Sequence, residues 1–442
     1  MKKCLGVVLA LLLVVPSFAL AIDLDNVKFG GSVRLRGYAM DNWANFADDD
    51  FLAGAPSAYD DEMDMFRLKA SVFVSADVGD NITGFIQLTD QNYGEGVGKA
   101  EGNDAWNDHT SNDVFIENAY IDVKNVLGPV SLRLGRQNLI YGTGFVILDG
   151  QSQFSSNEIY FDGVKAGWDI FEQVTLDAFY MKDQENHRAE SYDDDITLSG
   201  LYLTAKNGWN SYIRGQQELY ALNREDEATS KDIWMFGIRL SDKLDCGLDY
   251  SGEVALQTGD AYNGEDQEAV GYKLGLGYTY NAMSIKPRIF GEYVLMSGDD
   301  NGSKEYEGWD VYYGGWPQFG DLLAWKYVNM GPFNIINTLG SSSVAGEANY
   351  TNLEMMTIGL GCSIVDKIFP KFSYSKLYFD ETTAYGYLDD DFGDYWQLDL
   401  KYAYTKALSF AVYYAMIQPG DAFPKTNQDG AKEFYWEAEL KF

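Results

Sequence analysis

Arginines and lysines recur in this chain as single charges between apolar residues. Arg34, Arg36, Arg67, Lys69, Arg133, Arg136, Lys165, Arg214, Arg239, Lys273, Lys286 and Arg288 all stand in runs of that kind. A planar guanidinium matches a carboxylate with two parallel hydrogen bonds, so arginines on neighbouring strands could recognise carboxylates. Acids of the same spacing, Asp122, Asp177, Glu218, Asp249, Glu253, Glu292 and Asp399, offer the other use of these bases, as ion pairs that brace a wall. Other chemistry lacks its residues. His109 and His187 sit in acidic stretches, and there is no H-E-x-x-H, no C-x-x-C-H and no nucleophile elbow. No catalysis and no cofactor are expected.

The elements that must position these charges are strands. "FRLKASVFVSADV" sets Phe66, Leu68, Ala70, Val72, Val74 and Ala76 against Arg67, Lys69, Ser71 and Ser75. Alternate strand residues point to opposite faces, so one face is apolar and the other charged. The last residues, "EFYWEAELKF", keep that alternation up to Phe442. An arginine turned to lipid at a bilayer midplane costs about 2–4 kcal/mol, so in a membrane barrel the charged face turns inward.

Strands of this kind are expected near 28–43, 63–78, 82–90, 114–125, 129–141, 158–168, 174–183, 196–206, 209–222, 233–242, 247–258, 268–280, 285–297, 349–364, 371–380, 395–404, 408–418 and 432–442. Short connections such as "GDN" and "NG" alternate with long acidic ones, and both termini fall on the short side. The pattern predicts an all-β fold: a transmembrane antiparallel up-and-down β-barrel of about 18 strands, with 16 as the alternative. Such a barrel is wide enough for an aqueous channel. A channel for polar or anionic solutes is therefore the expected function, and a plugged, non-conducting barrel serving as adhesin or scaffold is the alternative.

The start of the chain fixes the compartment. "MKKCLGVVLALLLVVPSFALA" has two lysines, an apolar run, Pro16 and a small-x-small ending, which reads as a signal peptide over 1–21. Residues 22–442 then form a single barrel, exported to the periplasm and inserted in the outer membrane of a Gram-negative-type bacterium. The terminal aromatic strand resembles the signal that outer-membrane insertion machinery reads. Outer-membrane lipid and lipopolysaccharide are the other expected partners, and the number of copies in the assembly is left open.

The formal charge of -34 excludes nucleic acid as a partner. Most of that charge lies in the long connections. Runs such as Asp48, Asp49, Asp50 and Asp193, Asp194, Asp195 have oxygen ligands suited to weak Ca²⁺ binding, though a solvated rim explains them as well. One connection differs. Residues 298–348 carry Trp309, Tyr313, Trp316, Phe319 and Trp325, rings that need burial, so the segment is expected to fold across the mouth as a constriction. Its aromatic residues could also seat sugar rings.

Three stretches, "VFIENAYIDV", "SLRLGRQNLIYGTGFVIL" and "EIYFDGVKAG", resemble the alginate export family of outer-membrane channels. The matching positions are Leu132, Leu134, Gly135, Arg136 and Gln137, then Tyr141 and Gly142, then Phe161, Asp162, Gly163 and Val164. Trp316, Pro317 and Gly320 loosely resemble the family's aromatic, proline-bearing loop. The resemblance implies an 18-stranded barrel whose basic lumen passes an anionic polysaccharide outward. This chain departs from the pattern in its more acidic rim and more evenly mixed inward charges.

Overall fold

The computed structural model describes residues 24–42, 63–93, 114–148, 160–184, 195–209, 214–227, 229–261, 264–300, 302–314, 320, 322–323, 351–382, 388–423, 425 and 428–442. The expected signal peptide lies outside them. So do Asp48, Asp49, Asp50, Asp193, Asp194, Trp316, Phe319 and Trp325.

Eighteen strands follow one another along the chain. The first six are β1 (Leu24–Asp41), β2 (Met63–Val78), β3 (Ile82–Tyr93), β4 (Phe115–Val123), β5 (Val130–Gln137) and β6 (Phe161–Phe171). Next come β7 (Val174–Gln184), β8 (Ile196–Ala205), β9 (Gln216–Asp226), β10 (Lys231–Lys243), β11 (Leu248–Asp260) and β12 (Asp266–Thr279). The last six are β13 (Arg288–Met296), β14 (Leu353–Gly361), β15 (Ile368–Tyr378), β16 (Asp391–Ala403), β17 (Leu408–Pro419) and β18 (Ala431–Lys441).

Each strand pairs antiparallel with its neighbours in sequence, and β18 closes the sheet on β1 from Ser32 opposite Lys441 to Asp41 opposite Lys432. Closure leaves no sheet edge among these pairings, the condition for crossing a bilayer with strands. At the seam Phe442 exchanges two backbone hydrogen bonds with Gly31. The outer surface is apolar: Val72, Leu134, Val164, Leu201, Phe236, Ile238 and Leu256 are all exposed. Water would penalise so broad a belt, whereas lipid accepts it.

The strand plan departs from expectation at several places, among them β5, which ends at Gln137 and not near 141. β9 begins at Gln216 and not near 209, because residues 207–208 turn and Trp209 follows them outside any strand. β13 begins at Arg288, leaving Lys286 in the preceding turn. Two connections on the long side, 227–230 and 261–265, are short hairpins, so the sorting of loop lengths is less strict than expected.

The interior is also less polar than alternation suggests. Met181, Leu198, Leu222, Met235, Ala255, Val294, Met296, Leu353, Met355 and Leu377 face inward and are fully or almost fully buried. In this half of the barrel both strand faces are apolar, the outer one against lipid and the inner one against segments folded into the lumen.

Candidate functional site: the lumen wall and the segments that cross it

Below the apolar band the inner wall carries a belt of ion pairs. Arg133 on β5 grips Asp122 on β4 with two hydrogen bonds of 2.7 and 2.9 Å. Lys165 on β6 faces Asp177 on β7 at 3.6 Å. Arg239 on β10 lies 2.6 Å from Glu218 on β9 and 3.8 Å from Glu253 on β11. Lys273 meets Glu292 at 3.4 Å, and Lys371 meets Asp399 at 3.7 Å. Arg288 on β13 reaches Asp249 on β11, two strands away. Its guanidinium lies over Gly277 on the strand between, where a Cβ would overlap it. Each of the seven inward acids read from the sequence has a basic partner.

The basic sector of β1 and β2 has a composition that the sequence did not disclose. Arg34 stands opposite Lys69 in register and Arg36 opposite Arg67, as expected for a positive patch. Barrel closure brings β18 alongside, with Glu439 opposite Arg34 and Glu437 opposite Arg36. Arg36 Nε donates to Glu437 at 2.5 Å, and the Arg36 and Arg67 guanidinium groups both donate to the Tyr38 hydroxyl at 3.0 and 3.1 Å. Arg36 also lies over the Tyr435 ring. The first two strands are thus a mixed-charge sector, because strands far apart in sequence meet at the seam.

Three expected lining residues lie elsewhere. Arg136 shares the outward parity of Leu132 and Leu134, and at the outer end of β5 it holds Asp162 with two bonds of 2.8 and 2.7 Å. It faces away from the lumen. Alternation contained that answer. Arg214 precedes β9, is exposed, and lies 3.7 Å from Asp242 at the short-turn end. Lys286 sits in the turn before β13 and pairs with Asp366 at 2.8 Å; its hydrogen bond holds the Asp366 carboxyl below the usual range. Of the two expected acidic runs, only Asp195 is described, and Lys182 takes it as partner.

Above the ion-pair belt, two segments fold inward. The first was not anticipated: residues 138–148, between β5 and β6, bury Leu139, Phe145, Val146 and Ile147 inside the barrel. Tyr141 stacks on Tyr202 with centroids 4.1 Å apart and donates to Asp177 at 2.8 Å. Gly142, with φ 58°, packs on Arg239 and Glu253, a backbone conformation and a close approach that a side chain would strain.

The second is the expected aromatic segment after β13. Trp309 lies across Gly271 of β12 and stacks on Phe145. Asp310 is held by Lys231 at 3.2 Å, Arg224 at 3.5 Å and, through its backbone nitrogen, Gln257 at 2.9 Å. Burial works against its charge, yet Lys231 and Arg224 keep the Asp310 carboxyl below the usual range. Tyr313 bonds back to Val146 and Leu148 through the main chain, at 3.2 and 3.0 Å, so the two segments are joined. Further on, Leu322 N donates to the Tyr413 hydroxyl of β17 at 3.4 Å, and Leu323 is fully buried. The segment is therefore anchored first at β9 to β12 and then at β17, seven strands round from β10 in an 18-stranded sheet. It crosses the lumen. Arg224, Lys231 and Asp310 were missed because their role depends on that crossing.

The sequence matches the family described as Alginate export over residues 26–436. The chain belongs to the alginate export family. Its fold resembles solved porins at low identity. A BenF-like porin from Pseudomonas fluorescens Pf-5 is 10% identical with TM-score 0.57, covering 95% of this chain and 100% of that one. OccAB1 from Acinetobacter baumannii is 12% identical with TM-score 0.56, covering 94% and 96%. OccK11 (OpdR) from Pseudomonas aeruginosa is 12% identical with TM-score 0.54, covering 94% and 96%. No curated protein matches the sequence. Family and fold together make this an outer-membrane β-barrel of the porin kind.

Proposed function

We propose that the protein is a diffusion channel for small polar solutes, carboxylates and uronic acids among them, narrowed at its outer mouth by the paired inward segments. The observation that carries this reading is the belt of ion pairs lying beneath a segment anchored on widely separated walls. Such a wall hydrates solutes of either sign, and arginines held in pairs can exchange partners with a passing carboxylate. The family description supports a uronate among the substrates. Residues 1–21 are removed on export, lipid and lipopolysaccharide surround the apolar belt, and Phe442 presents the terminal strand to the insertion machinery.

The buried apolar inner band favours one second reading, a barrel plugged at that level and acting as scaffold. Purified protein in planar bilayers separates the two. A channel gives discrete current steps, and liposomes containing it swell in glucuronate faster than in short uronate oligomers. A plugged scaffold gives neither.

A further inference from the structure

The stretch "VFIENAYIDV" contains a side chain that neither the ion-pair belt nor the inward segments employ. In the pairing of β3 with β4, Gln87 stands opposite Asn118 and Leu88 opposite Ile116, so Glu117 is an extra, bulged residue. Ile116 faces lipid, while Glu117 and Asn118 are both buried. Without the bulge, alternation would keep a carboxylate and Ile116 on opposite faces and force Asn118 to share the lipid side with Ile116. A bulge gives up ladder hydrogen bonding to re-aim a side chain, and such bulges cluster next to functional sites.

The re-aimed carboxylate is incompletely satisfied. Glu117 is 1% exposed; Oε2 accepts from the Thr89 hydroxyl of β3, and Oε1 has no hydrogen-bond partner. No Lys or Arg lies within ion-pair distance of it among the described residues. Ala119 of β4 stands opposite Arg136 of β5, so the register carries the end of β5 alongside the bulge, and the unpaired groups there are amides. Gln137, at the end of neighbouring β5, is fully buried and donates through Nε2 to the Gly135 and Gly163 carbonyls, which fixes its orientation and leaves Oε1 unpaired. Asn138 follows with both amide atoms unpaired, and the Gln91 amide nitrogen, on β3, is unpaired as well.

Burying an ionised carboxylate without a compensating charge is strongly unfavourable, and proteins resolve it by pairing, protonation or cation binding. A carboxylate, amide oxygens and a threonine hydroxyl are hard oxygen ligands, the set that Ca²⁺ prefers, and a water on the cation could accept from the Gln91 amide. We infer that Glu117 is the anionic ligand of a cation site on the inner wall of β3, β4 and β5, completed by oxygens of Thr89, Gln137 and Asn138 and taking a hard divalent cation of the calcium class. The site ties the start of the inward segment 138–148 to the wall.

Thermal unfolding of the full-length mature protein in detergent, first with chelator and then across a Ca²⁺ series, tests this. The parent midpoint should rise by a few degrees and saturate, since a ligand that binds only the folded state stabilises by mass action. Glu117→Gln keeps the shape and the bond to Thr89 but removes the charge, and should abolish the saturable rise. Equal rises in parent and E117Q would place all the calcium in the acidic loops and overturn the inference. An absent rise in the parent would overturn it too. If E117Q does not fold, Thr89→Val decides: a severalfold weaker half-saturation supports the site, and an unchanged one refutes it.

Discussion

The Lys231 ammonium on β10 lies 3.2 Å from the Asp310 carboxylate, which belongs to the segment that crosses the lumen. Arg224 lies on the same carboxylate oxygen at 3.5 Å, and all three side chains are buried or nearly so. Removing the acid would take a shared carboxylate away from two cations, and breaking a buried ion pair costs about 3–5 kcal/mol. Asp310→Ala should therefore loosen the segment and leave the strand ladder intact. The expected readout is larger and noisier single-channel current, with strand content by circular dichroism unchanged. Current identical to the parent would show that the segment is held by its other contacts alone.

The same pair sets a pH dependence. A carboxyl held below its unfolded pKa contributes stability that is fully present above about pH 4 and is lost as pH falls through the folded value. Conductance should thus be steady between about pH 7 and about pH 5 and increase on further acidification. In Asp310→Asn the acid-dependent rise should disappear. A rise that persists in this variant would assign it to other carboxyls.

For a channel of the proposed kind, ion selectivity should depend on the seam, where Arg36 and Glu437 meet at 2.5 Å. Since the bases of β1 and β2 are offset by acids of β18, the parent should discriminate only weakly between anions and cations. Glu437→Gln should shift the reversal potential in a salt gradient toward anions, and Arg34→Glu with Arg67→Glu should shift it toward cations. Reversal potentials that ignore both changes would place the selective charges in another part of the lumen.

Arg136 supplies the control. Because it faces outward and holds Asp162, Arg136→Ala should lower thermal stability slightly and leave the reversal potential untouched. Arg133→Ala, which unpairs Asp122 inside the lumen, should move the potential toward cations. Equal electrical effects of the two substitutions would contradict their opposite orientations.

The sequence discloses the strands and the barrel because lipid imposes alternation over nearly every strand; the seven inward acids, and their basic partners other than Lys371, are read the same way. What it conceals is whatever depends on a third dimension. Glu437 meets Arg36 only through closure, across nearly the whole chain. Glu117 faces inward only because a bulge shifts the count by one. Met235 and Leu222 look like lumen positions open to water, and they are buried because residues 138–148 and the segment after β13 fold in upon them. "NLIYGTGFVIL" carried a signal for this. Its apolar residues outnumber what a solvated loop would hold.

The crossing segment is the centre of the proposed channel, and removing it is the most direct test. Residues 305–340 are replaced by a short Gly/Ser linker, and the folded variant is compared with the parent in planar bilayers at the same salt. The strand ladder does not depend on this connection, so the barrel should still form. Conductance is expected to rise severalfold. A folded deletion variant that conducts like the parent would show that the crossing segment does not limit the path.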